Sequence, residues 1–216
     1  MDLNQQNKNS VGCKIILVGD SGVGKTSIIA RYVRKYKDNE KMTVGASFIS
    51  KQENINDKMI CFNIWDTAGQ EQFRSINGIF YQDAYICILV FDITRKQSFY
   101  NLESYWYNSV LEQSSKNTIF HIAGNKIDLF QQEEIDREEV EEFGKKINAE
   151  ISYISAKNEN AKDVDLLFKQ MAEKFLESDF YKEIISCEKI VKKTTLKSVK
   201  QTENVDRKTK NQKRCC

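Results

Sequence analysis

The sequence predicts an α/β fold: a six-stranded, mostly parallel sheet with one antiparallel edge strand, sandwiched in three layers between helices. Three observations predict it. Short apolar runs alternate with amphipathic stretches along most of the chain. One run, Ala84–Phe91, is apolar on both alternating faces, as a central strand must be. A single hairpin-type turn, Asn56-Asp57, joins two neighbouring runs, so one strand pair is antiparallel.

The elements follow in order. Cys13–Val18 (CKIILV) reads as a buried strand that runs into a glycine-rich loop, and Thr26–Lys35 as the helix after it. Ala46–Ile55 and Met59–Trp65 are the two arms of the hairpin. Ala84–Phe91 is the central strand, and Lys96–Gln113 has the length and spacing of a helix. Asn117–Ala123 and Ile151–Ile154 read as strands, with helices at Asp136–Ile147 and Asp163–Glu177. After about Ser178 the chain becomes polar and Lys-rich without a sustained period, the signature of a flexible tail. Folds of this class bind ligands in the loops beyond the carboxyl ends of their strands, so those loops are where chemistry is expected.

Composition narrows the function classes. The chain has 216 residues, with 33 Lys and Arg, 31 Asp and Glu, six Cys, one His and no Pro. The longest apolar run has eight residues, whereas a spanning helix needs about 20. The first ten residues are polar, so no secretory signal is expected and the chain reads as cytosolic. One His removes most His-based catalysis and His-rich metal sites, and no Pro excludes polyproline segments. Residues 1–180 carry 22 basic and 27 acidic side chains, while residues 181–216 carry 11 basic and 4 acidic. An acidic body is a poor nucleic-acid binder, while a tail of net +7 could meet RNA, DNA or an anionic membrane.

Four loops carry the chemistry. Gly19-Asp20-Ser21-Gly22-Val23-Gly24-Lys25-Thr26 is a full G-x-x-x-x-G-K-[ST] between a strand and a helix. Its glycines let backbone N–H groups converge on phosphate oxygens, Lys25 reaches the β- and γ-phosphates, and the Thr26 hydroxyl ligates Mg²⁺. Ser27 follows in the first helical turn. At the end of the third strand, Trp65-Asp66-Thr67-Ala68-Gly69-Gln70 places Asp66 to hold Mg²⁺ through water. Gly69 can bring its N–H to a γ-phosphate, and Gln70 can orient the attacking water. In Gly124-Asn125-Lys126-Ile127-Asp128, the Asp128 carboxylate can accept both N–H groups of guanine, a pair adenine lacks. Asn125 ties loops together there, and the Lys126 stem covers the ring. Ser155-Ala156-Lys157, after the last strand, completes a base site: the Ala156 N–H meets the guanine O6 and Lys157 packs on the ring.

These motifs, in this order, resemble the small GTPases of the Ras superfamily, a P-loop NTPase fold. Ile64–Glu71, Leu89-Val90-Phe91-Asp92-Ile93-Thr94 and the C-terminal Cys215-Cys216 resemble the Rab family in particular. The resemblance runs from about Gly12 to Glu177. It implies a flexible extension at 1–11, a G domain at 12–178, and a basic tail at 179–216 bearing geranylgeranyl on Cys215 and Cys216. It implies that Thr43 joins Thr26 on Mg²⁺ when GTP is bound, that Tyr36 stacks on the guanine edge, and that 68–81 is the second switch segment. Phe48, Trp65 and Tyr81 correspond to a surface triad read by effectors, although aromatics at such spacings are also ordinary core residues. The implied partners are an exchange factor, an activating protein, a GDP-dissociation inhibitor and escort protein, and effectors, for a monomeric GTP/GDP switch in vesicle traffic. The implied place is the cytoplasmic face of intracellular membranes, with a soluble cytosolic pool.

Some positions depart from the family pattern. The loop from Lys25 to Thr43 is one residue short, with Asn39-Glu40-Lys41-Met42 before the threonine. Ser47 stands where an acid is common and Gln72 where Arg is frequent; Ser47 and Ile122-Ala123-Gly124 resemble the endosomal branch. No arginine stands in the phosphate loop, so slow intrinsic hydrolysis through Gln70 and Lys25 is expected. A GTP-binding scaffold that scarcely hydrolyses is the alternative, which the intact Gln70 and Thr43 oppose. A P-loop kinase would lack the guanine-reading loop. Cys13, Cys61 and Cys87 read as small core residues, His121 as a core or edge histidine, and Glu133–Glu142 as a solvated helix.

Overall fold

A computed structural model of the protein describes residues 10–35, 43, 46–67, 79–159 and 162–187. By its contacts the chain divides into two units, Met1–Phe175 and Leu176–Cys216. In the first, the strands are β1 (Val11–Val18), β2 (Ala46–Ile55), β3 (Lys58–Thr67), β4 (Ile86–Asp92), β5 (Ile119–Asn125) and β6 (Glu150–Ile154), in the sheet order β2-β3-β1-β4-β5-β6. All pairings are parallel except β2 with β3, where Phe48 faces Trp65 across the ladder. The hairpin turn falls at Asn56 and Asp57, both at positive φ (50° and 62°), a conformation that short polar side chains tolerate. The predicted fold class, strand count and single antiparallel pair are those observed.

β4 is buried at every position, and β1 nearly so, because helices cover both faces of the sheet. The helices are α1 (Lys25–Tyr32), α2 (Lys96–Asn101), α3 (Tyr107–Gln113), α4 (Arg137–Ile147) and α5 (Lys162–Glu177). α4 begins on Asp136, whose carboxylate accepts from the Glu138 N–H, and ends on Asn148 at φ 53°. α2 and α3 are not one regular helix. A π-helical turn, Leu102–Trp106, joins them. Asn101 and Trp106 would stand about 140° apart around an α-helix, and the widened turn lets both reach a single carboxylate, that of Asp20.

The second unit is described for 176–187 only, helical over 179–187, with an exposed Asp179–Lys182 pair at 2.8 Å. No helix among the described residues is long and apolar enough to cross a membrane.

Candidate nucleotide site

The carboxyl ends of β1, β3, β4 and β5 bring the loops together. Gly19 leaves β1 at φ 145°, and a Cβ there would collide with the Val90 carbonyl of β4. Gly24 sits at φ 98°, and a Cβ there would collide with the Asn125 amide. Only glycine admits both close approaches. α1 then begins at Lys25, its free N–H groups facing the loop.

Lys25 is 5% exposed and its Nζ donates to the Gly19 and Asp20 carbonyl oxygens at 2.7 and 2.9 Å. Neither acceptor carries a charge. Burial pushes its ammonium down to about 8, with Asp66 and Asp20 pulling it back. A desolvated cation held among carbonyls is suited to an anionic oxygen.

Beside it three oxygen-bearing side chains converge. Thr26 Oγ1 donates to Asp66 Oδ2 at 2.6 Å, Thr43 Oγ1 donates to the same oxygen at 3.1 Å, and the two hydroxyls lie 2.7 Å apart. Among the described residues the buried Asp66 Oδ1 has no partner. Burial raises the Asp66 carboxyl, and the Thr26 hydroxyl, Lys25 and the Thr43 hydroxyl oppose the rise. An all-oxygen set with one orphaned carboxylate oxygen fits a hard divalent cation. The spacing fits as well, since octahedral Mg²⁺ at about 2.1 Å holds neighbouring oxygens roughly 3 Å apart. No cluster of three or more His, Cys, Asp or Glu offers another metal site among the described residues.

The base side is cross-tied. Asn125 Nδ2 donates to the Val23 carbonyl at 2.8 Å, and its Oδ1 accepts from the Ala156 N–H at 3.1 Å. Ser155 Oγ donates to Asp128 Oδ1 at 2.6 Å, fixing that carboxylate. Lys126 sits at φ 71°, in the left-handed region, and its Nζ pairs with Asp92 Oδ2 at 2.5 Å. The ammonium is thus tied down and the stem left beside the base loop.

At Asp20 the main chain is the part left to the loop: Asn101 Nδ2 and Trp106 Nε1 donate to its two carboxylate oxygens at 2.7 and 2.8 Å. The Ala156 N–H donates to Asn125 Oδ1. One sequence expectation needs correcting. Tyr81 is 2% exposed and belongs to the core, so it is not a surface residue. Phe80 takes its place, half-buried with its ring 5.4 Å from Trp65, while Phe48 is 52% exposed at 5.1 Å from Trp65. Adjacent residues on a helical turn face about 100° apart, so a slip of one exchanges surface for core.

Sequence reasoning missed several residues. Arg31, in the last turn of α1, donates from Nε to the Ala156 carbonyl at 2.7 Å and from Nη2 to the Lys157 carbonyl at 2.9 Å. Arg95 donates to the Ser21 carbonyl at 2.9 Å. Their partners lie 125, 126 and 74 positions away, and no local signal marks them. Ser27 lies in the first turn of α1, half-buried, and Lys157 is exposed. Tyr36, Gly69, Gln70, Cys215 and Cys216 lie outside the described residues.

Residues 14–177 match the Ras family. The chain is 35% identical over 179 residues to Ras-related protein Rab-21 of Geodia cydonium, covering 82% of this chain and 77% of that one. It is 38% identical over 172 residues to the Ypt/Rab-type GTPase YPT7 of Saccharomyces cerevisiae, covering 77% and 82%. The chain belongs to the Rab branch of the Ras family. A third relative, Ras-related protein Rab7 of Drosophila melanogaster, is 36% identical over 178 residues, covering 80% of this Rab and 84% of its own length. This Rab is accordingly a small GTPase, a GTP-hydrolysing switch of membrane traffic that binds GTP and GDP and works through regulators and effectors.

Proposed function

We propose that the Thr26–Thr43–Asp66 cluster holds Mg²⁺ beside the γ-phosphate of GTP and that this Rab hydrolyses GTP slowly until an activating protein engages it. The observation that carries this reading is the buried Asp66 Oδ1, unpartnered among the described residues, beside two threonine hydroxyls. Bound Mg²⁺ supplies neutralisation of charge on the β- and γ-phosphate oxygens. The chain's residues do the rest. Main-chain N–H groups of Asp20–Gly24 and the Lys25 ammonium bind the phosphates, Gly69 donates its N–H to the γ-phosphate, and Gln70 orients the water for in-line attack. The phosphate loop has no arginine, so Lys25 is its only side-chain cation, and turnover is slow.

Asp128, held by Ser155, reads guanine, with the Lys126 and Lys157 stems on the ring and Tyr36 at its edge. The Ala156 amide serves the base as a donor shared with Asn125. Loss of the γ-phosphate releases Thr43 and Gly69, so the loop that carries Thr43 and the switch segment at 68–81 both loosen after hydrolysis. Effectors read Phe48, Trp65 and Phe80 in the GTP state. The domain at 12–178 acts as a monomer, and the tail at 179–216 binds the cytoplasmic face of an endosomal membrane through geranylgeranyl on Cys215 and Cys216 and the net +7 charge of residues 181–216. Two lipid chains anchor stably where one does so marginally. An exchange factor, a GDP-dissociation inhibitor and an escort protein complete the cycle with its cytosolic pool.

The test is single-turnover γ-phosphate release, with and without membrane extract. Slow release that the extract accelerates supports the reading, and fast release by the purified chain contradicts it. Gln70→Leu should slow release with GTP still bound; an unchanged rate removes Gln70 from its role.

A further inference from the structure

The turn that follows β4 touches both halves of the nucleotide site. Asp92, at its start, pairs with Lys126 of the base loop at 2.5 Å. Arg95, at its end, donates from Nη2 to the Ser21 carbonyl of the phosphate loop at 2.9 Å. The Arg95 Nη1 lies 4.0 Å from where a Cβ on Gly22 would stand, so the guanidinium spans the Ser21–Gly22 turn. The turn itself is pinned. The Arg95 N–H donates to the Asp92 carbonyl at 3.0 Å, and Ser98, fully buried, donates its N–H and its hydroxyl to the Arg95 carbonyl at 2.9 and 2.7 Å. The Arg95 side chain therefore extends from a fixed backbone, although the residue is exposed.

We infer that Arg95 is a positioning residue of the phosphate site, bracing the Ser21–Gly22 turn from its outer side in the conformation that receives the nucleotide phosphates. The Gly19 and Asp20 carbonyls of the loop accept from Lys25, whereas the Ser21 carbonyl takes its partner from outside the loop. Arg95 supplies a charged donor, whose hydrogen bond is about twice as strong as a neutral one. It also adds a positive charge near the Lys25 cradle, where its field depresses the Lys25 ammonium further. Asp92 and Arg95 together form a second tie between base loop and phosphate loop, parallel to Asn125. Phosphate binding and base binding are thereby coupled through three bonds of one turn.

The inference rests on the nucleotide reading above, and the test separates the two. The full chain is loaded with fluorescent GDP and the label chased with excess GDP, for wild type, Arg95→Ala and Arg95→Lys. Loss of one charge-assisted bond to the loop should speed dissociation by roughly 5-fold in Arg95→Ala, with most of the loss recovered in Arg95→Lys. Thermal unfolding of the variants should stay near wild type, because the side chain is exposed. Dissociation from Arg95→Ala within 2-fold of wild type, or no recovery in Arg95→Lys, overturns the assignment. A wild-type chain that retains no labelled GDP refutes the nucleotide reading itself, before any variant is compared.

Discussion

Replacing Asn125 by alanine removes one side chain and disconnects two loops. Asn125 is 2% exposed, donates to Val23 and accepts from Ala156 at 2.8 and 3.1 Å. Alanine leaves a carbonyl and an N–H without partners, at about 1–3 kcal/mol each. Both loops can relax toward water when no nucleotide is bound, so only part of that cost falls on the bound state. Taking about 2 kcal/mol as that part gives roughly 30-fold faster release of GDP. Stopped-flow chase of fluorescent GDP from Asn125→Ala measures it directly. Asn125→Asp retains the acceptor for Ala156 but turns a carboxylate toward the Val23 carbonyl, so it should release GDP at least as fast as the alanine variant. Release from Asn125→Ala less than about 3-fold faster than wild type would refute the two-bond argument.

The other predictions concern the core, the aromatic surface and the tail. Burial, with Lys174 adding to it, lowers His121 to about 3, so the folded chain stays unprotonated there while the unfolded chain takes up a proton below about pH 6.5. Stability is therefore lost as pH falls from 6.5 toward 3, about 2 kcal/mol of it by pH 5; urea unfolding of wild type and His121→Gln at pH 7 and 5 should differ by that amount, and parallel curves would exclude it. Tyr81→Ala should cost about 3–5 kcal/mol in the same assay, as loss of a buried aromatic does. Phe80→Ala should cost less and weaken effector capture instead, and the reverse ranking would restore Tyr81 to the surface. Cys215 and Cys216 both changed to Ser should leave the protein wholly soluble in cells, and membrane retention of that variant would sink the lipidation proposal.

The parts of the site that were legible in the sequence are those whose residues are contiguous. The phosphate loop needs glycines, a lysine and a threonine within eight positions because one tight turn supplies every N–H, and that constraint is visible in one dimension. Hydrophobic period gave β4, buried at all seven positions, and the hairpin gave the one antiparallel edge. Period could not show the π-helical turn at Leu102–Trp106, since the carboxylate that Asn101 and Trp106 share across it, that of Asp20, lies more than 80 positions upstream. Nor could it choose between Phe80 and Tyr81, because both are large aromatics and only helix phase separates them.

By itself the sequence determined an α/β sheet with a phosphate-loop motif, an Asn125-Lys126-Ile127-Asp128 motif and a basic tail, because these depend on local spacing and composition. The tertiary structure decided which side chains hold those loops in place: Arg31 on the Ala156 and Lys157 carbonyls, Arg95 on Ser21, Lys126 on Asp92, and Thr26 and Thr43 on one oxygen of Asp66. The physical reason is range. A turn or a helix is set by neighbours within a few residues, whereas a buried charge or carbonyl must find its partner wherever packing brings one within about 3 Å.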